Sequence, residues 1–376
     1  MQSSHPNIYI VADNILSPIG STTAENFAGL KQNISGVKRH VDPRISAQPF
    51  FASLFDEDRF EQNHYTKFEQ LLIASIQDAL QSSGIDAREK NTILIISSTK
   101  GNIGLLEIEE NSAELQKRIA LSTSAKLVAA HFGFVNQPVV ISNACISGVM
   151  GIITAMRLLR TGQYENAVIA GADVISQFIL SGFQSFMALS GQICKPFDKS
   201  RDGLNLGEGA GTLILSTNQK YNGNLTVKGG SVSNDANHIS GPSRTGKELA
   251  HAITTSLQDA ELKSEDIGFI SAHGTATVYN DEMEASAIAA SGLQAVPLNS
   301  LKGYYGHTLG AAGLIEAIVS IQSLKEGLVL PTVGFEEIGV NNPVNISASA
   351  VAVRADNFIK TASGFGGCNA AVVIGK

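Results

Sequence analysis

The sequence lacks several features that would by themselves define a class of protein. Its 376 residues include no tryptophan and only three cysteines, and these show no metal-ligand spacing. So few cysteines argue against a disulfide framework. No apolar run approaches the roughly 20 residues that a membrane span needs. The net charge is −7 and there is no basic run, which argues against a nucleic-acid-binding protein.

Two further absences bear on location and cofactors. The N-terminal residues 1–7 are polar and contain no apolar signal-peptide core. The eight histidines show no paired spacing of the kind that zinc sites use. We therefore expect a cytoplasmic protein with no metal and no other cofactor.

What is present favours a large α/β protein. Hydrophobic residues make up 43% of the chain, enough for an extensive core, and 36 glycines against 10 prolines indicate many tight turns. The length allows two domains or one large domain.

The chain repeats its own pattern. A helical segment with the sequence Ile-Gln-Asp-Ala at 76–79 leads to a strand at 92–97, and the similar segment Leu-Gln-Asp-Ala at 257–260 leads to a second strand at 268–272. Each half follows the order strand, helix, strand, helix, strand, which predicts parallel pairing with right-handed crossovers. We predict two similar halves, residues 1–220 and 221–376. Their corresponding loops should meet at one end of the molecule.

Cys145 lies where a predicted strand, 138–141, turns into a predicted helix, 147–159. Gly148 and Gly151 would let that helix pack closely. A thiol at a helix N-terminus faces the positive end of the helix dipole and free N–H groups, which should lower its pKa and favour the thiolate. The sequence therefore predicts a nucleophile. The alternative is a buried structural cysteine.

Two loops of the second half carry histidines. His273 follows a strand, and Thr275 and Thr277 behind it offer hydroxyl groups to a polar ligand. His307 precedes a helix rich in small residues, where a neutral imidazole is expected. Two neutral histidines could each donate one N–H to a single carbonyl oxygen. The alternative for His273 is a histidine held in a turn.

Two more groups need an explanation. Lys302, if buried, needs an acidic partner, and Asp281 and Glu284 are the nearest candidates in the order of the loops, unless they lie on a solvated helix face. The glycine-rich loop 363–369 precedes a strand and lacks the Lys-Ser/Thr of a phosphate-binding loop. Phe365 is its one bulky side chain and would suit a gate. The alternative is a core plug.

Four short motifs follow one another in a fixed order. They are Ala-Cys-x-Ser-Gly at 144–148, His-Gly-Thr-x-Thr at 273–277, Lys-x-x-x-Gly-His at 302–307 and Gly-Phe-Gly-Gly at 364–367. In this order they resemble the type II elongating β-ketoacyl-acyl-carrier-protein synthases. The resemblance covers nearly the whole chain. It implies the thiolase-like α/β fold, in which two duplicated βαβαβ halves form a five-layered α-β-α-β-α sandwich.

The resemblance also implies a role for each matching residue. Cys145 would accept the acyl group, and His273 and His307 would support decarboxylation and stabilise the enolate. Lys302 and Glu284 would form the ion pair that holds the second histidine. Phe365 would be the gating residue, and its backbone N–H and that of Cys145 would form the oxyanion hole.

The implied activity is a decarboxylative Claisen condensation between an acyl-cysteine and malonyl-carrier, in a fatty-acid or a specialised polyketide or polyene pathway. The implied partner is an acyl carrier protein, and the implied assembly is a homodimer or a ketosynthase heterodimer. One alternative is a chain-length-factor-like subunit, but such subunits usually lose the cysteine. Thiolases use a second cysteine in a Cys-x-Gly loop, and initiating synthases use Cys–His–Asn, so both fit less well.

Several positions depart from the family pattern. Cys368 stands where threonine is usual, Ser363 where a second phenylalanine is common, and Met187 where an arginine often meets the carrier. These departures predict a different acyl pocket and carrier surface. Carrier proteins are acidic, so we expect a local basic patch, with Lys195, Lys199 and Arg201 as candidates. The alternative is that these charges only solvate a turn, with Asp198 and Arg201 holding it.

Overall fold

The structure, a computed structural model, describes residues 6–61, 63–237 and 241–376. Residues 1–5 of the polar N-terminal segment lie outside the described residues. The α-helices are α1 Thr23–Lys31, α2 Lys67–Ser83, α3 Ala113–Arg118, α4 Leu121–Phe132, α5 Ser147–Arg160, α6 Gln177–Ser185, α7 Lys247–Asp259, α8 Val278–Ala290, α9 Lys302–Tyr305 and α10 Leu309–Glu326. The strands are β1 Tyr9–Leu16, β2 Lys38–His40, β3 Phe50–Ser53, β4 Thr92–Ser97, β5 Val139–Ile141, β6 Asn166–Asp173, β7 Leu206–Gly207, β8 Gly209–Ser216, β9 Thr226–Asn234, β10 Phe269–Ser271, β11 Leu298–Asn299, β12 Leu328–Val329, β13 Val351–Ala352, β14 Asn357–Gly364 and β15 Cys368–Gly375.

Ten strands form one sheet with two equivalent halves. The order is β11-β10-β14-β15-β9 and then β1-β8-β6-β4-β5. The halves join where Tyr9 of β1 pairs with Thr226 of β9. Each half repeats the same strand positions, with β4 matching β10 and β5 matching β11.

The expected parallel pairing is only partly correct. In each half three strands pair in parallel, β5-β4-β6 and β11-β10-β14, and the other two are antiparallel. The reason is visible in the second half, where the short turn between Gly364 and Cys368 joins β14 directly to β15. A parallel return needs a crossover of a dozen or more residues, so this turn allows only an antiparallel hairpin.

Helices cover the sheet halves in layers. Helices α5 and α10 pack against each other and against strands of both halves. Helix α2, with α4 beside it, covers the outer face of the first half, and α7, with α8 beside it, covers that of the second. This is the predicted five-layered α-β-α-β-α arrangement. A Cβ on Gly148 would lie 2.5 Å from the Leu314 backbone nitrogen, so the contact between α5 and α10 needs glycine there.

The loops that carry the motifs leave the sheets at strand ends. The residues before Cys145 follow β5, His273 follows β10, and α9 with His307 follows β11. Because β10 pairs in parallel with both β11 and β14, the carboxyl ends of these three strands lie at one edge. In the described ranges, no helix is both long enough and apolar enough to cross a membrane.

Candidate active site

Cys145 lies at a sharp turn between β5 and α5. Ala144 adopts a left-handed conformation with φ of 43°, which is unfavourable for a residue with a Cβ and marks a constrained backbone. The Ser147 hydroxyl accepts a hydrogen bond from the Asn143 N–H at 2.8 Å and donates one to the Ala144 carbonyl at 2.7 Å. The first turn of α5 therefore fixes the position of the thiol.

Both histidines converge on this thiol. His307 Nε2 lies 3.0 Å from Cys145 Sγ, within hydrogen-bond distance. The ring centroids of His273 and His307 are 5.3 Å apart, with an angle of 80° between the ring planes. A ligand atom from each of the three side chains lies within 4.8 Å of the other two. Residues up to 162 positions apart in sequence thus form one compact cluster.

The two imidazoles are neutral near pH 7. Burial lowers the pKa of His273 and of His307 well below the usual 6.5, and the nearby Lys302 and Lys360 cations lower both further. A neutral imidazole supplies one N–H donor and one acceptor nitrogen. The neutral imidazole expected for His307 therefore results mainly from burial and from the two lysines.

The prediction of a lowered thiol pKa is wrong. Burial raises the pKa of Cys145 to about 12, and the Cys368 thiol nearby raises it too, whereas Lys302 and the Phe365 backbone N–H lower it less. The resting side chain is therefore a thiol. A base has to remove its proton when it reacts, and His307 Nε2 is in contact with it.

The predicted Lys302–Glu284 ion pair is also wrong. The Lys302 ammonium is buried and pairs with Glu316, on the central helix α10, and it donates to the His273 carbonyl at 3.1 Å. A second buried lysine, Lys360, lies 2.7 Å from the other oxygen of Glu316. Glu316 is closer because α10 passes directly beside the strand ends, where it contacts β14 and β10.

Glu284 has a different task. Its carboxylate accepts hydrogen bonds from the N–H groups of His273 and Gly274 at 2.8 and 2.7 Å, and from the Thr361 hydroxyl at 2.6 Å. Asp281 likewise accepts from the Thr275 N–H at 2.9 Å. Both acids therefore hold the backbone of the His273 loop rather than Lys302.

A cavity of about 410 Å³ leads from the surface to the histidines. Thr275 and Thr277 line it, and their hydroxyl oxygens are 2.9 Å apart. Phe365 lines it too and is 40% exposed, with its ring stacked on Phe183 at 5.9 Å. The alternative of a buried core plug is therefore wrong. Whether Phe365 acts as a gate stays a prediction.

The candidate basic patch is largely neutralised. The exposed Lys199 pairs with Glu337 at 2.8 Å. The Arg201 side chain is buried, donates to the carbonyl groups of Asp198 and Gly339, and lies 3.5 Å from Glu282. Lys199 and Arg201, two of the three candidates, therefore hold loops together. For Arg201 this agrees with the alternative prediction that it holds the turn. The exposed Met187 lies at the mouth of the cavity instead.

Sequence reasoning missed three buried charged residues near the site. Glu316 is an acid in the middle of an apolar helix, and Lys360 is a lysine in an apolar strand, so each carried a detectable signal. Asp173 at the end of β6 accepts from the Ser98 hydroxyl at 2.8 Å and from the Gly310 N–H at 2.7 Å. It thereby ties β4 and β6 to the start of α10, just after His307.

Within the described part of the chain, Cys145, His273 and His307 are also the one group of three side chains that could surround a metal ion. The same atoms suit acyl transfer, with a nucleophile, a base in contact with it and a second donor alongside. A layered, duplicated α/β fold with this cluster defines a thiol-dependent acyltransferase of the thiolase fold.

Comparison with known proteins identifies the family. Residues 7–220 match the family described as "Beta-ketoacyl synthase, N-terminal domain", and residues 225–336 match "Beta-ketoacyl synthase, C-terminal domain". The chain therefore belongs to the β-ketoacyl synthase family of condensing enzymes.

Relatives and solved structures agree with this assignment. The "3-oxoacyl-[acyl-carrier-protein] synthase 2" of Vibrio harveyi is 28% identical over 411 aligned residues, covering 99% of each chain. The protein of the same name from Synechocystis is 28% identical, covering 96% of each. A solved structure titled "The ishigamide ketosynthase/chain length factor" superposes with a TM-score of 0.90 at 26% identity, covering 99% of this chain and 100% of that one.

Proposed function

We propose that this chain condenses an acyl group held on Cys145 with a malonyl unit, and that carrier-protein thioesters deliver both. The observation that carries the proposal is the cluster itself, in which His307 Nε2 contacts the thiol at 3.0 Å and His273 stands beside it. The names of its relatives, 3-oxoacyl-[acyl-carrier-protein] synthases, support the same reaction.

The first half-reaction loads the acyl group. His307 Nε2 takes the thiol proton as Cys145 Sγ attacks the thioester carbonyl, and the proton then passes to the departing carrier thiol. The backbone N–H of Phe365, which faces the thiol, and that of Cys145 would stabilise the tetrahedral oxyanion. Covalent capture divides one difficult condensation into two easier steps.

The second half-reaction needs donors for a developing enolate oxygen. When malonyl-carrier enters, loss of CO₂ moves an electron pair onto the thioester, and a neutral histidine can donate an N–H to its oxygen. The carbanion then attacks the acyl-Cys145 carbonyl and the C–S bond breaks. The Cys145 sulfur leaves as a thiolate that takes up a proton from solvent, and the β-ketoacyl thioester leaves on the carrier. Thr275 and Thr277 line the cavity through which the carrier arm would reach the thiol.

Intact-mass measurement tests the loading step. Incubation with acyl-carriers of graded chain length should add one acyl group to the wild-type chain and none to Cys145→Ala, while Cys194→Ala, which removes a buried thiol, should load normally. Loading on Cys145→Ala equal to wild type would disprove the assignment of the nucleophile.

The alternative role is a chain-length-factor-like subunit, and one solved structure of similar fold contains such a factor. Retention of Cys145 with both histidines favours the catalytic role. Light scattering of the purified chain, with a condensation assay, separates the two possible assemblies. A homodimer that condenses alone indicates the fatty-acid type, whereas activity only after co-expression with a second ketosynthase-like chain indicates a heterodimer. No acylation in either state would support the non-catalytic role.

We also infer a cytoplasmic location. The three cysteines are unpaired, which agrees with a reducing compartment. Fractionation of the source cells with an antibody against the chain tests this inference, and recovery from an oxidising compartment would contradict it.

A further inference from the structure

The departure at Cys368 places a second thiol beside the turn that carries Cys145. Cys368 Sγ lies 3.7 Å from the Asn143 carbonyl oxygen and 3.4 Å from that of Phe365. Asn143 is two residues before Cys145, so the Cys368 thiol borders the turn that carries the nucleophile. The remaining cysteine, Cys194, is fully buried in a separate loop.

Gly364 is what allows the two cysteines to approach. A Cβ at Gly364 would lie 2.9 Å from the Cys145 backbone nitrogen and 3.0 Å from Cys368 Sγ. No side chain therefore fills the space that this glycine leaves between them. Cys368 itself is held firmly, because it is the first residue of β15 and pairs with both Gly364 and Asn234.

We propose that Cys145 and Cys368 form a reversible disulfide when a hydroperoxide oxidises the active-site thiol. The neighbouring thiol would then act as a resolving cysteine, which protects the nucleophile from irreversible oxidation and switches the site off until a dithiol reduces it. The disulfide does not depend on the condensation reaction, since it requires only the two thiols and the oxidant.

The chemistry balances in two steps. His307 accepts the Cys145 proton as the sulfur attacks one peroxide oxygen. The O–O bond breaks, the departing hydroxide or alkoxide takes that proton, and Cys145 becomes a sulfenic acid. The Cys368 sulfur then attacks the sulfenic sulfur, an S–S bond forms, and the S–OH oxygen leaves as water with the Cys368 proton. In total two thiols lose two electrons and two protons, and the peroxide is reduced.

Peptide mapping after mild oxidation tests the proposal. The full-length protein is treated with limiting hydrogen peroxide, alkylated and digested, with Cys368→Thr, Cys368→Ser and Cys194→Ser treated in parallel. Wild type and Cys194→Ser should give a linked peptide that contains Cys145 and Cys368, and a dithiol should remove it. The two Cys368 variants should instead accumulate sulfinic and sulfonic acid on Cys145.

Each outcome decides the question. Wild-type protein that accumulates sulfinic acid as fast as Cys368→Thr, with no linked peptide, would overturn the proposal. The peptide map of wild-type protein remains informative even if a Cys368 variant folds poorly. Cys368→Thr introduces the residue that is usual at this position in the family. Acyl loading of reduced wild type, measured alongside, shows whether the proposed condensing role holds. A failed disulfide and a failed function are therefore distinguishable.

Discussion

At the scale of single residues, the two histidines are not equivalent. His307 Nε2 lies 3.0 Å from the Cys145 thiol, while His273 has no contact with that thiol among the hydrogen bonds of the described residues. The thiol pKa is raised to about 12, so Cys145 needs a base to react. We therefore expect His307 to be needed for loading as well as for decarboxylation.

We therefore expect different effects from the two alanine variants. His307→Ala should slow acyl loading of Cys145 and reduce malonyl decarboxylation, whereas His273→Ala should load normally and lose about 10²–10³-fold in decarboxylation, as for one oxyanion donor. Rapid-quench loading and labelled CO₂ release measure the two steps separately. Equal loading rates in both variants would contradict the role of His307 as base.

Lys360 offers a test of electrostatic control. Its cation is one reason that the pKa of both histidines lies well below 6.5. Removing a positive charge favours the imidazolium, so each histidine pKa should rise in Lys360→Met. The acid limb of kcat/KM should move to higher pH by on the order of 1 pH unit.

The matched control for Lys360→Met is Lys199→Met, a lysine that is exposed and paired with Glu337 on the surface. The acid limb of kcat/KM for Lys199→Met should coincide with that of wild type. An unshifted limb in Lys360→Met, with lower activity at every pH, would show that the lysine only stabilises the fold.

Residue identities at the site were largely predictable, but some of their partners were not. Cys145, His273 and His307 stand in local motifs that the sequence displays directly. The partner of Lys302 is Glu316, which no local spacing indicates, because the contact depends on how α10 crosses the strand ends. The prediction of a lowered pKa for the Cys145 thiol was wrong for a similar reason, because burial of the thiol is a property of the assembled fold.

At the scale of elements, three short segments around the site are constrained. Ala144, Ala276 and Leu309 have positive φ values of 43°, 60° and 48°, and each lies within three residues of Cys145, His273 or His307. Such conformations persist where the surrounding structure imposes them. Asp173 and Glu284 supply part of that restraint through their hydrogen bonds to the loop backbones.

A gate at Phe365 would require the loop that carries this residue to move. Gly366 and Gly367 have positive φ values of 85° and 77°, and a Cβ on Gly366 would meet no atom within 4 Å. Phe365→Ala should leave the free energy of unfolding within about 1 kcal/mol of wild type, because the ring is partly exposed. If the ring is a gate, the variant should release CO₂ from malonyl-carrier before an acyl chain is loaded.

Phe358→Ala is the matched control, since that ring is buried and stacked on Phe269 at 5.0 Å. It should lose about 3–5 kcal/mol of stability and keep the order of substrates. Urea unfolding together with CO₂ release without acyl primer separates the two effects. Unchanged substrate order in a stable Phe365→Ala would reject the gate.

Where the sequence pattern was strong, the predicted boundaries of helices and strands agree closely with those in the structure. Strand β4 coincides with the predicted 92–97, and α5 begins at Ser147 as predicted. Strand β5, at the edge of the sheet, has only three residues and begins at Val139, one residue after the start of the predicted strand 138–141. Short edge strands depend on pairing with a neighbour, and periodicity carries little information about that pairing.

At the scale of the whole molecule, the two halves share one core. The largest hydrophobic cluster includes Ile15 of β1 and Met156 of α5 together with Leu314 of α10 and Val372 of β15. Helix α5 packs on strands of both halves, and most of α10 is buried. The halves are therefore repeats of one pattern that depend on each other for burial.

This shared core predicts that residues 1–220 do not fold alone. Without residues 221–376, the face of α5 that contacts α10 and β15 would be exposed to water, at about 25 cal/mol for each Å² of apolar surface. The isolated segment should aggregate or bind a hydrophobic dye, and should show no cooperative unfolding. Co-expression with residues 221–376 should restore a compact complex, because the same surfaces then meet. A segment 1–220 that is monomeric and unfolds cooperatively would mean that the first half holds an independent core, and that the contact between α5 and α10 serves only to bring Cys145 to His307.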